Sequence, residues 1–248
     1  LAGTNSTLTA MTANTENLLI GSRSGLFGFP GSIDEPHIYN RALSATEITD
    51  LYALGAAKLN TSQNTSITSG LVGEWSFNGA DVSGTTAYDR STSGINGTLT
   101  NGPVPTSGRV GQAMSFDGSN DHMETSSAVI ADSASATFST WVKFNTGSGA
   151  IVMRRGQDGF GNGWSVSLGT DASNIPGFSV VTTSGGPAAY SAAGTTALST
   201  GTWHHLVGVW TAGESVKIYI NGVLGGTTAT ATTTLRSSTS GSCFSVSA

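Results

Sequence analysis

The sequence has very few charged residues and almost no cysteine. Charged side chains make up 10% of its 248 residues, and 10 Lys and Arg against 15 Asp and Glu leave a net charge of −5. An average globular domain is about a quarter charged. Basic residues this sparse form no stripe that could neutralise phosphates, which argues against nucleic acid as a partner. The single cysteine, Cys243, excludes a disulfide framework within the chain.

Long apolar runs are missing as well. No stretch of about 18 apolar residues is present, so the sequence predicts no membrane insertion, and its first residues lack the basic start and apolar core of a signal peptide. The abundant residues are Gly, of which there are 34, together with Ser, Thr, Ala and Asn. This neutral, hydroxyl-rich composition is typical of secreted or cell-surface proteins.

Short apolar stretches separated by Gly, Asn and Ser predict many strands. The clearest strands are 33–40, 71–77, 113–116, 138–144, 151–154, 164–168, 178–182, 203–210 and 216–220. Asn221-Gly222 falls where a two-residue hairpin turn would be, since both residues tolerate positive φ. The pattern predicts an antiparallel two-sheet sandwich.

One helix is predicted, over residues 45–54. Ser44 and Glu47 form a capping box, in which each side chain can bind the backbone amide of the other residue. Ile48, Leu51 and Tyr52 follow as an apolar stripe, and Gly55 supplies a helix stop.

Residues 55–69 are mostly small or polar and are predicted to be a linker. The two ends of the chain also resemble each other, because residues 1–4 (LAGT) recur as residues 224–227 (LGGT), an offset of 223 residues. A fixed offset of this size predicts a tandem array of one module, with adjacent copies of the same repeat as partners.

Two groups of motifs resemble the laminin-G-like, concanavalin A-like jelly-roll domains. Residues 31–44 (GSIDEPHIYNRALS), followed by Glu47-Ile48 and Leu51-Tyr52, are similar to the closing signature of that family. Its opening signature appears at residues 70–77 (GLVGEWSF), 89–98 and 113–118, and its middle at 138–142, 203–207 and 218–222. The resemblance covers nearly the whole chain, in permuted order.

The order of these signatures predicts the domain organisation. Residues 1–54 resemble the C-terminal strands and helix of one domain, and residues 70–248 resemble the next domain without its last strands. Because each piece is incomplete, we expect 1–54 to fill the open edge of the 70–248 body as one permuted jelly roll, with strands 1–10 and 224–234 competing for one place. Pro36 removes a backbone donor and predicts an edge or a bulge in its strand.

Carboxylates at alternate positions of one strand, as jelly-roll glycosidases use, are not found in the sequence. No serine lies in a G-x-S-x-G motif either. The sequence therefore predicts a non-catalytic protein.

The resemblance implies one structural calcium ion. By analogy with related jelly rolls its ligands would be Asp34 and carbonyl oxygens near Asn78 and Gly118. Oxygen ligands from loops suit calcium. The alternative is that the aspartates only cap turns.

Sugar rings stack on exposed aromatic side chains, and Trp141 is the candidate for such a platform. It shares a strand face with Lys143, opposite Phe138, Val142 and Phe144, which places it on the outer face of the sandwich. Arg154 and Tyr190 are expected to join it in a ligand site. The alternative is that Trp141 packs under a covering loop.

Three functions are compatible with these observations. The first is a binding module for a glycan or an extracellular protein, in a secreted or cell-surface repetitive protein. The second is a structural spacer repeat, and the third is an accessory domain of a polysaccharide-degrading enzyme. Fold alone does not choose among them. A binding module predicts an accessible aromatic near Trp141 with polar neighbours, whereas a spacer predicts that this face is covered or lined only by Ser and Thr.

Overall fold

A computed structural model describes residues 18–22, 28–56, 65–126, 129–130, 135–145, 149–155, 164–182 and 188–229. The described helix α1 spans Ala45–Ala56, and short 3₁₀ turns occur at Thr65–Thr68 and Gly79–Asp81. The strands in the first part of the chain are β1 (Leu18–Ile20), β2 (Pro30–Tyr39), β3 (Leu71–Glu74), β4 (Val82–Ser83), β5 (Thr86–Ala87), β6 (Gly97–Thr100), β7 (Val104–Ser107), β8 (Gln112–Asp117) and β9 (His122–Thr125). Those in the second part are β10 (Ser135–Phe144), β11 (Gly149–Arg155), β12 (Trp164–Thr170), β13 (Pro176–Thr182), β14 (Ala188–Ala193), β15 (His204–Thr211), β16 (Ser215–Ile220) and β17 (Val223–Ala229).

The strands form two antiparallel sheets that face each other. One sheet has nine strands in the order β14-β13-β12-β11-β1-β9-β6-β5-β4, and the other has eight, with β17-β16-β15-β10-β2-β8-β7 in line and β3 beside β2. Between them lies one apolar core, whose largest side chains include Trp75, Trp210, Phe138 and Phe178. The predicted all-β jelly-roll sandwich is therefore confirmed. In the described residues, the helix is too short and not apolar enough to cross a membrane.

Strand β2 lies inside the eight-stranded sheet. It pairs with β10 on one side and with β8 and then β3 on the other. Segment 18–56 thus shares both sheets with strands from the rest of the chain, since β1 pairs with β9 and β11. Two segments, 1–10 and 224–234, were predicted to compete for one strand position. Residues 1–10 and 230–234 of these segments lie outside the described residues.

A bulge interrupts β2 at Glu35 and Pro36. On β10, Ser139 pairs with His37 and Trp141 pairs with Asp34, so three steps along β2 match two steps along β10. Glu35 takes a φ of 49° there. The bulge that Pro36 predicted is confirmed, and it sets Asp34 and His37 on the same outer face of the sheet.

Helix α1 begins as its capping box predicted. The Glu47 amide donates to Ser44 Oγ at 3.3 Å, and the Ser44 amide donates to Glu47 Oε2 at 2.8 Å. Arg41 also binds both Glu47 oxygens, at 2.6 and 3.1 Å. The hydrogen bonds from Arg41, and to a smaller extent those from Ser44, lower the pKa of Glu47 to about 2.

The helix packs on the outer face of the eight-stranded sheet. Its apolar side, with Ile48 and Leu51, contacts Tyr39, Val207 and Val209 in a second core. The helix continues to Ala56, so the predicted stop at Gly55 was wrong.

Gly55 is required by contact with a tryptophan instead. A Cβ atom built on Gly55 would lie 2.0 Å from Trp141 Nε1, far inside van der Waals contact. The Tyr52 ring stacks on the same indole with centroids 5.5 Å apart, and the His205 ring lies 5.1 Å from it. We call Tyr52, Trp141 and His205 the outer-face aromatic cluster.

His205 is the buried titratable member of that cluster. Its exposed fraction is 2%, and its Nε2 lies 2.9 Å from Ser139 Oγ. Its Nδ1 is buried and has no hydrogen-bond partner. Burial, with a smaller contribution from the charge of His37, lowers the pKa of His205 to about 3.

The turn between β16 and β17 also follows its sequence signal. Asn221 and Gly222 take φ values of 51° and 79°. The predicted two-residue hairpin turn is confirmed.

Replacing Gly55 by Ala should destabilise the protein, although Ala is the better helix former. The added methyl must push α1 away from Trp141, and overpacking of this kind costs about 1–3 kcal/mol, more than the ~1 kcal/mol that Ala gains over Gly within a helix. Thermal or urea unfolding measures the change. Leu54→Ala is the control, because Leu54 is 41% exposed and its truncation should have little effect. Equal stability of Gly55→Ala and the parent would contradict the close packing of α1 on Trp141.

Acidification should destabilise the protein through His205. Its folded-state pKa lies below the unfolded-state value, so the unfolded chain takes up the proton first and stability falls as pH drops below about 6.5. From pH 8 to pH 5 this group should remove about 2 kcal/mol of stability. Urea unfolding at both pH values compares the parent with His205→Gln, whose amide can still bind Ser139. The variant should lose about 2 kcal/mol less than the parent, and identical losses would refute the assignment.

Candidate functional site

Trp141 lies on the outer face of the eight-stranded sheet, as its alternation with Phe138 and Val142 predicted. It is only 4% exposed, however. Tyr52 covers one side of the indole, and the Arg109 guanidinium lies 5.0 Å from the ring. A ligand therefore cannot reach Trp141 while α1 is in place, and the covering element is a helix where the alternative prediction named a loop.

The predicted ligand site of Trp141, Arg154 and Tyr190 is not formed. Trp141 belongs to β10 of the eight-stranded sheet, whereas Arg154 and Tyr190 belong to β11 and β14 of the nine-stranded sheet. Tyr190 pairs with Val180 and packs against the main core. The sequence could not show this separation, because alternation along one strand does not reveal which sheet that strand joins.

Trp203 is the accessible tryptophan of this face. Four of the five tryptophans have described side chains, and of these Trp75, Trp141 and Trp210 are buried, whereas Trp203 is half-buried. Trp203 lies just before β15 and two residues from His205, on the same side as Trp141. The Lys143 ammonium lies 5.3 Å from its ring centroid. An accessible aromatic with a polar neighbour therefore exists near Trp141, beyond the end of the helix.

Exposed hydroxyl groups lie just before Trp203 in the chain. The turn that precedes it carries Ser199, Thr200 and Thr202, all exposed, and Ser199 Oγ lies 2.7 Å from Thr202 Oγ1. His204, next in the chain, points to the other side and contacts the Ser199 carbonyl at 3.1 Å. We call Trp203, Lys143, Ser199 and Thr202 the Trp203 patch.

The histidine pair 204–205 divides as expected for neighbours in a strand. His204 is half-buried at the sheet end and His205 is buried under α1. The two cannot bind one metal ion together.

The outer face of the nine-stranded sheet carries a row of Ser and Thr side chains. Ser167, Ser179 and Ser191 lie side by side on β12, β13 and β14, and Ser179 Oγ is 2.7 Å from Ser191 Oγ. On the other half of the sheet the same row continues through Thr98 and Thr86. This row offers hydroxyl groups without an aromatic platform.

Asp34, the predicted calcium ligand, holds a turn. The amides of Arg109 and Val110, in the turn between β7 and β8, donate to its Oδ2 at 2.6 and 2.9 Å. Its Oδ1 is buried without a hydrogen-bond partner. Burial raises the pKa of Asp34 to about 7, although the two amides act in the opposite direction.

The other two predicted calcium ligands do not complete a site with Asp34. The Asn78 carbonyl oxygen accepts from the Asp81 amide at 2.7 Å, and the Asn78 side-chain oxygen accepts from the Gln112 amide at 2.8 Å. Gly118 lies one residue beyond β8, whose Asp117 pairs with Pro30, four residues from Asp34 along β2. Four residues of strand span about 13 Å, whereas two ligands of one calcium ion lie within about 5 Å of each other. A single calcium ion held by all three residues does not fit this geometry.

A second group of possible ligands lies at the β2 bulge. Glu35 and His37 of β2 and Glu74 of β3 each place one ligand atom within 4.8 Å of the other two. His37 Nε2 is 3.5 Å from Glu74 Oε1 and 3.9 Å from Glu35 Oε2. The side chains are 17%, 17% and 29% exposed for His37, Glu35 and Glu74, so the group is half-buried and still reaches solvent. We call it the Glu-His-Glu cluster.

Electrostatics couples the three groups. Burial would lower the pKa of His37, but the hydrogen bond to Glu74 and the charge of Glu35 raise it overall. The contact with His37 in turn lowers the pKa of Glu74. Burial raises the pKa of Glu35. The cluster is therefore a place where positive charge is stabilised.

Sequence reasoning missed this cluster and the Trp203 patch. Glu35 and His37 are two residues apart in the sequence, but the bulge between them breaks the strand alternation, so alternation alone does not predict their contact. The partnership of Glu74 depends on the pairing of β2 with β3, which the sequence does not show. For Trp203, the signal was the run of Ser and Thr before it.

Comparison with known proteins identifies the family of this chain. A family model described as the concanavalin A-like lectin/glucanases superfamily, laminin-G type, matches residues 117–245, just over half of the chain. Searches of curated proteins and of solved structures gave no match. The matched region begins at the end of β8 and includes all of β9 to β17, among them the strands that carry Trp141 and Lys143 and the loop with Trp203. The two-sheet sandwich agrees with this match, and the chain belongs to the concanavalin A-like lectin/glucanase superfamily.

Proposed function

We propose that this protein is a non-catalytic binding module that recognises a carbohydrate at the Trp203 patch. The observation that carries the proposal is the half-buried but accessible indole of Trp203 beside the Lys143 ammonium. An indole offers an apolar face to the C–H groups of a sugar ring, and a few placed polar groups around it fix the orientation of the ligand. Lys143, Ser199 and Thr202 are groups of that kind.

The chemistry of the surface supports this ligand class. A glycan presents many hydroxyl groups and little charge, and the chain is correspondingly low in charge and rich in Ser and Thr. The same composition supports our inference that the protein acts outside the cell or on its surface. An extracellular protein is the alternative partner, and it would use the same exposed aromatic as an anchor.

The spacer function is the second candidate, and the burial of Trp141 favours it. Helix α1 covers the outer-face aromatic cluster, and the nine-stranded sheet carries the row of Ser167, Ser179 and Ser191. A spacer needs no accessible aromatic, so the partly exposed indole of Trp203 supports the binding function. The role as an accessory domain of a polysaccharide-degrading enzyme would use the same glycan contact.

Removal of the Trp203 indole tests the proposal. The parent chain is first screened on an array of neutral and acidic polysaccharides, and the dissociation constant of the best-bound glycan is then measured by calorimetry. Trp203→Ala should weaken binding by about 2 kcal/mol, the cost of losing an aromatic hot spot, which corresponds to about 30-fold in Kd. Leu224→Ala, at a side chain 49% exposed in β17, is the control and should bind as the parent does. Binding by the parent to no polysaccharide would favour the spacer, and unchanged affinity of Trp203→Ala would place the site elsewhere.

A further inference from the structure

The Glu-His-Glu cluster joins two separate segments of the chain. Glu35 and His37 come from β2, and Glu74 lies directly opposite His37 on β3. Residues 40–70 separate these segments in the sequence; they include helix α1 and residues 57–64, which are not described. Whatever binds to all three side chains therefore ties residues 30–39 to residues 71–74.

The orientation of the His37 ring defines which nitrogen faces the carboxylates. Nδ1 lies 2.7 Å from the Glu35 carbonyl oxygen. A carbonyl oxygen can only accept a hydrogen bond, so Nδ1 carries a proton and donates it. Nε2 then points toward Glu35 Oε2 and Glu74 Oε1, at 3.9 and 3.5 Å. A histidine that donates one ring N–H to a backbone carbonyl and turns its other nitrogen to carboxylates has the arrangement of a metal ligand.

Charge balance also favours a divalent cation. Two carboxylates face one imidazole, and even a protonated His37 would leave a net charge of −1 in the cluster. Arg90, the neighbouring cation, is paired with Asp81, which its Nε contacts at 2.6 Å. A doubly charged ion would neutralise Glu35 and Glu74 while His37 binds through the neutral Nε2.

The spacing matches a small transition-metal ion. Ligands about 2.0–2.2 Å from zinc in a tetrahedron lie about 3.4 Å from one another. The separation of His37 Nε2 from Glu74 Oε1, 3.5 Å, is already close to this value, and Glu35 needs only a small side-chain movement. One imidazole and two carboxylates suit zinc better than calcium, which takes six to eight oxygen ligands.

We propose that Glu35, His37 and Glu74 form a binding site for a divalent transition-metal ion of the zinc type, with one coordination position open to solvent. The ion connects β2 to β3 across the bulge. Its binding therefore stabilises the attachment of β3 to the sheet, independently of any ligand at the Trp203 patch.

The experiment is a metal titration of the full chain without a histidine tag. Zinc is titrated against a chromophoric chelator near neutral pH, and cobalt is added as a spectroscopic substitute. We expect one zinc ion per chain, visible absorption of tetrahedral cobalt, and a melting temperature raised by about 5–10 °C at a free zinc concentration a hundred times Kd. Calcium should give no such shift. Absence of saturable zinc binding, or an equal shift with calcium, would overturn the proposal.

Variants locate the ion on the protein. His37→Gln and Glu74→Gln should each weaken zinc binding by at least about tenfold, the loss caused even by removing an outer partner of a metal ligand. His122→Gln is the matched control, because His122 Nδ1 makes the same contact to a carbonyl two residues back, at 2.9 Å from Asn120 O, without belonging to the cluster. Cys243→Ser excludes the thiol as a ligand. Circular dichroism without metal shows whether each variant is folded. If His37→Gln does not fold, Glu74→Gln, at the most exposed position of the cluster, still tests the site. Unchanged zinc affinity in a folded cluster variant, or loss in either control, would refute the site.

Discussion

The pairing of β2 within the eight-stranded sheet is the interaction on which the rest of the structure depends. This strand has neighbours on both sides, β10 along its length and then β8 and β3 in succession. Its inward residues Ile33 and Ile38 lie in the main core. Each backbone amide and carbonyl of a strand buried in this way needs a partner. Without β2 the sheet would divide into two unpaired edges, and the core would be exposed between them.

The bulge in β2 places two polar side chains on the outer face of a strand whose inner face lies in the core. An extra residue at Glu35 and Pro36 lets both Asp34 and His37 face outward, although they are three residues apart. Asp34 then fastens the turn at Arg109, and His37 faces the carboxylates of β2 and β3. A regular strand would have turned one of these two side chains into the apolar core, where its polar group would be costly.

Local signals in the sequence predicted the parts of the fold that depend on neighbouring residues. The capping box of Ser44 and Glu47 and the turn at Asn221 act over two to four residues, and both are found. The outward direction of Trp141 also follows from alternation. The burial of Trp141 under α1 does not follow from alternation, because Tyr52 and Trp141 are brought together only when α1 packs on the sheet. The Glu74 partnership of His37 and the assignment of Tyr190 to the other sheet are likewise consequences of long-range pairing, which no local pattern records.

Trp141 and Trp203 show how the helix determines what this face can bind. Both lie on the outer side of the same sheet. Trp141 belongs to β10, and Trp203 contacts Lys143, which lies two residues further along that strand. Helix α1 ends at Ala56 with Gly55 against Trp141, and Lys143 and Trp203, the next described residues on this face, are half-buried. The Glu-His-Glu cluster lies at the other end of β2, about 15 Å from Ser32, the β2 residue that pairs with Lys143. An ion at the cluster and a sugar at the Trp203 patch would therefore not touch, and each site depends on the fold without depending on the other.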